Sequence, residues 1–254
     1  ARLAKGWLGG ASASFPAAGQ PPSGAQQGSH NAPVLYRPRA PTPTRDESHT
    51  SLTSLAFLED RRLEQTDNLR VTRIRPLLSA AVCMEELVAD TEVKQLVFQT
   101  RCEISSLMHD EGDRLLVVAG PAVVHDPKAV MEYAARLRTL GAALSDDLLV
   151  VMHLNFEDSS TVPTGGWKGF INDPELDGSL NVNQGIRRAR QLLHEINALG
   201  LPAGCEYLDT ITPQFIADLI SWAQVGARTC ASRSHRELAS GLSTPVGFHK
   251  GSPD

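Results

Sequence analysis

The chain has 254 residues, 41% of them hydrophobic and 21% charged, with a net charge of −5. That balance is ordinary for a soluble globular protein and gives no reason to expect nucleic acid or an anionic membrane as partner. No apolar run approaches the roughly 20 residues that span a bilayer. Cys83, Cys102, Cys205 and Cys230 form no CxxC pair, which predicts buried thiols in a reducing, cytoplasmic setting rather than a disulfide framework.

Residues 1–45 carry five Arg or Lys and no acidic residue, and include the run "GGASASFPAAGQPPSGAQQGSHNAP". Such a composition buries too little apolar surface to offset the entropy of ordering it. It predicts a disordered low-complexity arm over residues 1–66. An organelle transit peptide is the competing reading, because those peptides bear Arg and Ser and lack acids.

From about Asp67 the composition turns globular. "VKQLVFQTRCEISSLM" (Val93 to Met108) reads as a helix with Leu96, Val97, Ile104 and Leu107 on one side. "RLLVVAG" (Arg114 to Gly120) is an apolar run too short for a helix and predicts a buried strand. Asp126 as N-cap and Pro127 at the first helical position open a helix to about Leu144. Val130, Tyr133, Leu137, Leu140 and Leu144 form its expected stripe. "DLLVVMHLNF" (Asp147 to Phe156) is a second strand, followed by a long polar loop. A helix over about Val182 to Leu199 buries Val182, Ile186, Ala189, Leu193 and Ile196, and Gly200 ends it. "PAGCEYLD" (Pro202 to Asp209) is the third strand, and Thr212-Pro213 starts a helix expected to run through Trp222. "QVGART" is a short fourth strand. Ser234 and Glu237 read as a capping box opening a helix to Leu242. "PVGF" begins a fifth strand.

Strand and helix alternate with short returns, which predicts a parallel sheet with helices outside. An open doubly wound sheet and a closed eight-fold barrel both fit that alternation. A barrel needs eight units and about 250 residues; four units and the start of a fifth make half a barrel. In either case the binding loops lie at the carboxyl ends of the strands. They cover Pro121 to Asp126, His153 to Gly169, Glu206 to Asp209, Arg228 to Ser234 and His249 to Gly251. The second, with a polar stretch of about Glu157 to Leu180, is longer than an ordinary connection, which marks it for substrate contact.

"GWKGFINDP" (Gly166 to Pro174), "EYLDTITPQFIADLISW" (Glu206 to Trp222), "GART" (Gly226 to Thr229) and "HRELASGLSTPVGF" (His235 to Phe248) are long and unusual motifs. Together with "DNLRVTRIRPLLS" and "DRLLVVAGP" they closely resemble the type I 3-deoxy-D-arabino-heptulosonate 7-phosphate (DAHP) synthases. The resemblance covers about Asp67 to Gly251. It implies a (β/α)₈ TIM barrel, residues 67–254 supplying an amino-terminal extension and part of that barrel. It also implies the first step of the shikimate pathway, a metal-dependent condensation of phosphoenolpyruvate with erythrose 4-phosphate. Two phosphates and a carboxylate call for converging Arg and Lys, and a divalent metal polarises the aldehyde.

By that resemblance Lys168, Glu206 and Arg228 occupy phosphoenolpyruvate-site positions. Other positions depart from the family. Its first loop reads GPCSIHD, with a metal-binding cysteine where "GPAVVHD" has Ala122. His125 reads either as a replacement ligand or as a structural residue, and the family has a histidine there too. The family's arginine at the end of the second strand becomes His153. Its Glu-Lys-Pro-Arg-Thr segment becomes "EDSST", placing Asp158 at the lysine and Ser159-Ser160 at Pro-Arg. Asp158 would put an anion where phosphate sits. "GFKNG" becomes "GFHKG", so His249 takes the lysine position and Lys250 compensates only if the loop shifts by one residue. The family's remaining metal ligands lie beyond Asp254, so no metal or other cofactor is expected on this chain. The expectation is a degenerate, catalytically impaired synthase that forms a homo-oligomer or pairs with a full-length synthase. The alternatives are a non-catalytic regulatory or assembly partner of such a synthase, and a gene fragment.

Overall fold

Among the described residues every crossover leads from one strand to the next strand beside it. The computed structural model describes residue 68 and residues 70–157 and 166–249. Two compact units divide the chain. In Gly10–Arg75 the described residues include a turn in which Val71 N–H donates to the Asn68 carbonyl at 3.0 Å. The other unit includes Pro76–Asp254 and carries every element below. The arm expected over residues 1–66 lies outside the described residues.

Helices α1 (Ala80–Glu86) and α2 (Thr91–Met108) precede strand β1 (Leu115–Ala119). Then come α3 (Pro127–Ala143), β2 (Leu148–Leu154), α4 (Val182–Ala198), β3 (Ala203–Glu206), the single turn α5 (Pro213–Ile216), β4 (Trp222–Val225), α6 (Arg233–Gly241) and β5 (Val246–Phe248). All five strands are parallel and lie in the order β1-β2-β3-β4-β5. A doubly wound sheet reverses its order at a switch point. This one has none, so the connectivity is that of a barrel wall, seen here as a partial barrel.

Alternation along the strands gives the sheet two apolar faces. Met152, Leu154, Ala203, Cys205 and Ala223 pack with Ile186, Ala189, Leu193 and Ile196 of α4. On the other face Leu149, Val151 and Trp222 pack with Ile104 of α2, flanked by Leu107, Leu116 and Val118. Helix α2 therefore covers the inner face near the amino ends of the strands. Arg101 fixes it there, donating to the Ala217 carbonyl at 2.7 Å and through two nitrogens to the Ile220 carbonyl at 3.0 and 2.7 Å.

Several expectations are corrected. The helix foreseen from Thr212 to Trp222 is one α-turn and a 3₁₀ turn (Ala217–Leu219). Ser221 N–H donates to the Ala203 carbonyl at 2.7 Å, and the strand ladder captures Trp222 as the first residue of β4; tertiary pairing overrides local helix preference. The fourth strand is accordingly Trp222–Val225, and Gly226 to Thr229 form a turn. Helix α6 starts two residues early, with Ser232 as N-cap, and Glu237 pairs with Arg233 at 2.7 Å instead of completing a capping box with Ser234. The α3 stripe is rotated: Val130 and Ala134 are buried, whereas Tyr133, Leu140 and Leu144 are exposed. A Cβ on Gly141 would lie only 3.3 Å from Val150 Cβ. Small residues at 134 and 141 bring the helix close to β2, and that contact outweighs the larger apolar side chains. Of the four free cysteines only Cys83 and Cys205 are buried; Cys102 is exposed and Cys230 half-buried. The short α1, with Ser79 Oγ accepting from Val82 N–H, was not foreseen.

Arg190 on α4, a charged residue, is 1% exposed. Its guanidinium donates to both Asp218 carboxylate oxygens at 2.6 and 2.8 Å, and to the Leu87 and Phe215 carbonyls at 3.0 and 2.9 Å. A buried guanidinium that loses its carboxylate keeps its desolvation cost. Asp218→Ala is expected to lower stability by about 1–3 kcal/mol, the range for a charge-assisted bond whose acceptor is partly exposed. A denaturant midpoint equal to that of the parent would contradict this.

Candidate functional site

At the carboxyl end of the sheet the first loop is locked to β2. A Cβ on Gly120 would fall 1.8 Å from the His153 carbonyl oxygen, so only glycine allows the approach. Val124 N–H donates to the Asn155 carbonyl at 2.8 Å, and Asn155 Nδ2 returns a bond to the Ala122 carbonyl at 2.9 Å. Asp126 then caps α3, accepting from Lys128 N–H at 2.9 Å. His125 stacks on Trp167 with ring centroids 4.5 Å apart, and its Nδ1 meets the Val123 carbonyl at 3.2 Å. Of its two readings, this packing supports the structural one. Trp167 Nε1 donates to the Asp173 carbonyl at 2.8 Å, so the first and second loops are held as one piece.

The sequence-derived positions distribute over these strand ends. His153 lies near the end of β2, half-buried, and Glu206 ends β3. Arg228 is exposed in the turn after β4, and Lys168 is exposed beside Trp167. His249 follows β5 directly and is exposed, while Ala122 is exposed on the first loop. Asp158, Ser160 and Lys250 lie outside the described residues. The Glu206 carboxylate folds over Gly226, where a Cβ would come within 1.9 Å of Oε1. That contact ties the end of β3 to the turn that carries Arg228.

Three further side chains belong to this end and escaped the sequence reading. Gln224, a polar residue inside the apolar run "WAQV", donates its amide to His249 Nε2. Asn155 is the clamp described above. Glu157 follows β2, and its carboxyl is pushed up to about 7, first by burial and then by the charge of Asp209, against a lowering hydrogen bond from Asn172. Asp209 itself accepts from Ile211 N–H, Thr212 N–H and Thr212 Oγ1 at 3.0, 2.8 and 3.2 Å, which organises the loop after β3. Cys205, deep beneath these carboxyls, has its thiol pushed up by burial and by Glu157.

His153 is chemically the most exposed to consequence. Its Nε2 is buried and has no hydrogen-bond partner among the described residues. Burial holds the imidazole below its ordinary value, and His249 lowers it further. His249, just beyond β5, is the only charge that contributes to that lowering besides burial. Trp222 Nε1, lower on that face, is a second buried nitrogen without a partner.

The divalent metal implied by the resemblance does not fit the first loop as it stands. Ala122 offers a methyl group, and its carbonyl is already held by Asn155. Among the described residues no three His, Cys, Asp or Glu gather as metal ligands. A cleft of about 310 Å³ lies at the opposite end of the sheet, lined by Leu96, Glu103, Arg114 and Leu148. It holds none of these residues; Glu103 and Arg114 pair in it at 2.7 Å, and Arg138 lines it as well. No helix among the described residues is long and apolar enough to cross a membrane.

Residues 90–253 match the model of the DAHP synthetase I family. The chain is 47% identical over 199 residues to the phospho-2-dehydro-3-deoxyheptonate aldolase of Amycolatopsis methanolica, covering 78% of this chain and 96% of that protein. It is 50% identical over 187 residues to the Phe-sensitive phospho-2-dehydro-3-deoxyheptonate aldolase of Escherichia coli K12, covering 74% of this chain and 53% of that one. The solved phospho-2-dehydro-3-deoxyheptonate aldolase of Francisella tularensis SCHU S4 superimposes with a TM-score of 0.69 at 43% identity, over 72% of this chain and 53% of its own. The chain thus spans about half the length of the E. coli and Francisella proteins.

The raised Glu157 carboxyl has a signed consequence. Between its ordinary value and about 7 the folded state holds a proton that the unfolded chain has lost, so this residue's contribution to stability falls as pH rises through that window. Glu157→Gln should remove that fall and be more stable than the parent at pH 8. Denaturation midpoints of both proteins from pH 4.5 to 8 are the check; a constant difference between them would refute the assignment.

Proposed function

Because the chain belongs to the DAHP synthetase I family, we propose that it is a DAHP synthase-like protein of the shikimate pathway that retains a phosphorylated-substrate pocket but is impaired in condensation. The observation that carries this reading is the divided state of the strand ends. Lys168, Glu206 and Arg228 stand at phosphoenolpyruvate-site positions around a pre-set Gly226 turn. Ala122, His153 and His249 replace a metal ligand and two permanent cations. Asp158 and Ser160, in the same long loop, remove two more cations.

Phosphoenolpyruvate presents a phosphate and a carboxylate. Arg228 and Lys168 supply the fixed positive charges, and the Glu206–Gly226 contact holds the Arg228 turn in place. The Gly120 and Asn155 clamp keeps the first loop from collapsing into the pocket. In the family a bound divalent metal polarises the aldehyde of erythrose 4-phosphate. Here a methyl group occupies the ligand position, and the residues of the strand ends supply binding and orientation only.

Removing one preorganised electrostatic contact typically costs about 10²–10³ in rate. With several changed together, turnover of phosphoenolpyruvate with erythrose 4-phosphate and Mn²⁺ is expected at least about 10⁴ below ordinary enzyme rates of about 1–10³ per second. Ala122→Cys alone should not restore it, because the cation positions remain changed. Turnover by the unaltered chain within the ordinary range would overturn the impaired reading and return full synthase activity.

A second reading, a partner of a full-length synthase or of another copy, is favoured by the sheet edges. Among the described residues β1 and β5 each pair on one side only, and unpaired edges promote association. Sedimentation should show a dimer, a larger assembly, or a complex with added full-length synthase. A compact monomer that ignores the synthase would exclude this role.

A further inference from the structure

We infer that the cleft at the amino ends of the strands is a binding site for a compact monocarboxylate with a hydrocarbon body. It lies at the far end of the sheet from the loops that carry the proposed function and does not depend on that reading. The cleft has a volume of about 310 Å³ and runs between α2 and α3, at the low end of the range for small-molecule sites. Arg114 precedes β1, Leu148 and Leu149 open β2, and Leu201 and Pro202 lead into β3, so the cleft gathers the starts of three strands. On the α3 side Gly141, Ala142 and Ser145 are small and keep that wall low.

The charges on its walls do not balance. Arg114, Arg138 and Glu103 line it, two cations against one anion, and no other acidic residue does. Glu103 and Arg114 close on each other at 2.7 Å. Arg138 has no ion-pair or hydrogen-bond partner among the described residues. Its Nε lies 4.0 Å from where a Cβ on Gly200 would stand, so the glycine leaves the space beside that guanidinium open. Thr100 on α2 is only 4% exposed and lines the cleft with a hydroxyl that bonds no described residue. A ligand oxygen completes such an unmatched group.

These features select the ligand. One unpaired guanidinium matches one carboxylate, which it holds through two parallel N–H donors. A phosphate dianion calls for a second free cation, and Arg114 is already held by Glu103. An ammonium group calls for a free carboxylate, and Glu103 is taken by the same pair. Leu96, Leu148, Leu149 and Leu201 offer apolar wall that a charged head does not use. Burying hydrocarbon against them supplies the rest of the affinity.

Hexanoate is the probe, compared with hexanamide, which lacks the charge, and norleucine, which adds an ammonium group to the same chain. Ligand-observed NMR titration of the full chain should show saturable hexanoate binding with a Kd on the order of 1 mM or tighter. Hexanamide and norleucine should each bind about tenfold or more weakly, the loss expected when a charge-assisted bond is removed or a charge is left unmatched. Arg138→Gln should weaken hexanoate about tenfold and leave hexanamide unchanged. Ala142→Trp, which fills the cleft with an indole, should weaken both. Arg138 and Ala142 are exposed, and thermal midpoints equal to the parent's verify that the variants fold. Absence of saturable hexanoate binding, or hexanoate affinity unchanged in either variant, would overturn the site. Norleucine or inorganic phosphate displacing hexanoate at equal concentration would overturn the ligand class.

Discussion

Where Gly120 meets the His153 carbonyl, the ends of β1 and β2 come too close for any side chain, and the loop that follows has little freedom left. Asn155 accepts from Val124 and donates to Ala122, so two backbone groups of the first loop are bonded to the residue that follows β2. The stacked His125 and Trp167 carry the same constraint into the second loop. Everything proposed for the strand ends depends on this lock, because binding groups act strongly only when their positions are fixed beforehand.

Beneath that lock the inner face is a filled apolar floor. The Trp222 indole lies against Gly247, where a Cβ would be 2.4 Å from Cζ2, and Ile104 of α2 packs against Leu149, Val151 and Trp222. The polar residues above it, His153, Glu206, Gln224 and His249, face a low-dielectric base rather than water on all sides. Such a base strengthens favourable electrostatic contacts and raises the cost of unmatched ones. The unpartnered nitrogen of His153 and the raised carboxyl of Glu157 are two results of the same environment.

On the proposed reading, imidazoles at His153 and His249 stand where the family has a guanidinium and an ammonium group. Arg and Lys stay charged across physiological pH, whereas His does not. At Ala122 a methyl group offers no side-chain ligand to a metal. The close contacts at this end run through Gly120, Asn155 and Gly226, which meet the His153 carbonyl, the Ala122 carbonyl and the Glu206 carboxylate.

The sequence determined the alternation of elements, the apolar face of α4, the Asp126-Pro127 helix start and the family motifs, because period, caps and long motifs are local properties of the chain. Alternation alone left the doubly wound sheet and the barrel both open, and the family motifs implied the barrel; strand order, which only pairing between distant segments sets, bears the barrel wall out. Local preference placed Trp222 in a helix, and the ladder with β3 took it into a strand. Periodicity chose the larger apolar stripe of α3, while close approach through Ala134 and Gly141 chose the face that is buried. Lys168, Glu206, Arg228, His153 and His249 were legible as positions from their motifs. That His153 is buried and unmatched, that Gln224 bonds His249, and that Glu157 holds its proton near neutrality depend on neighbours far away in the chain, and only the tertiary structure brings those neighbours together.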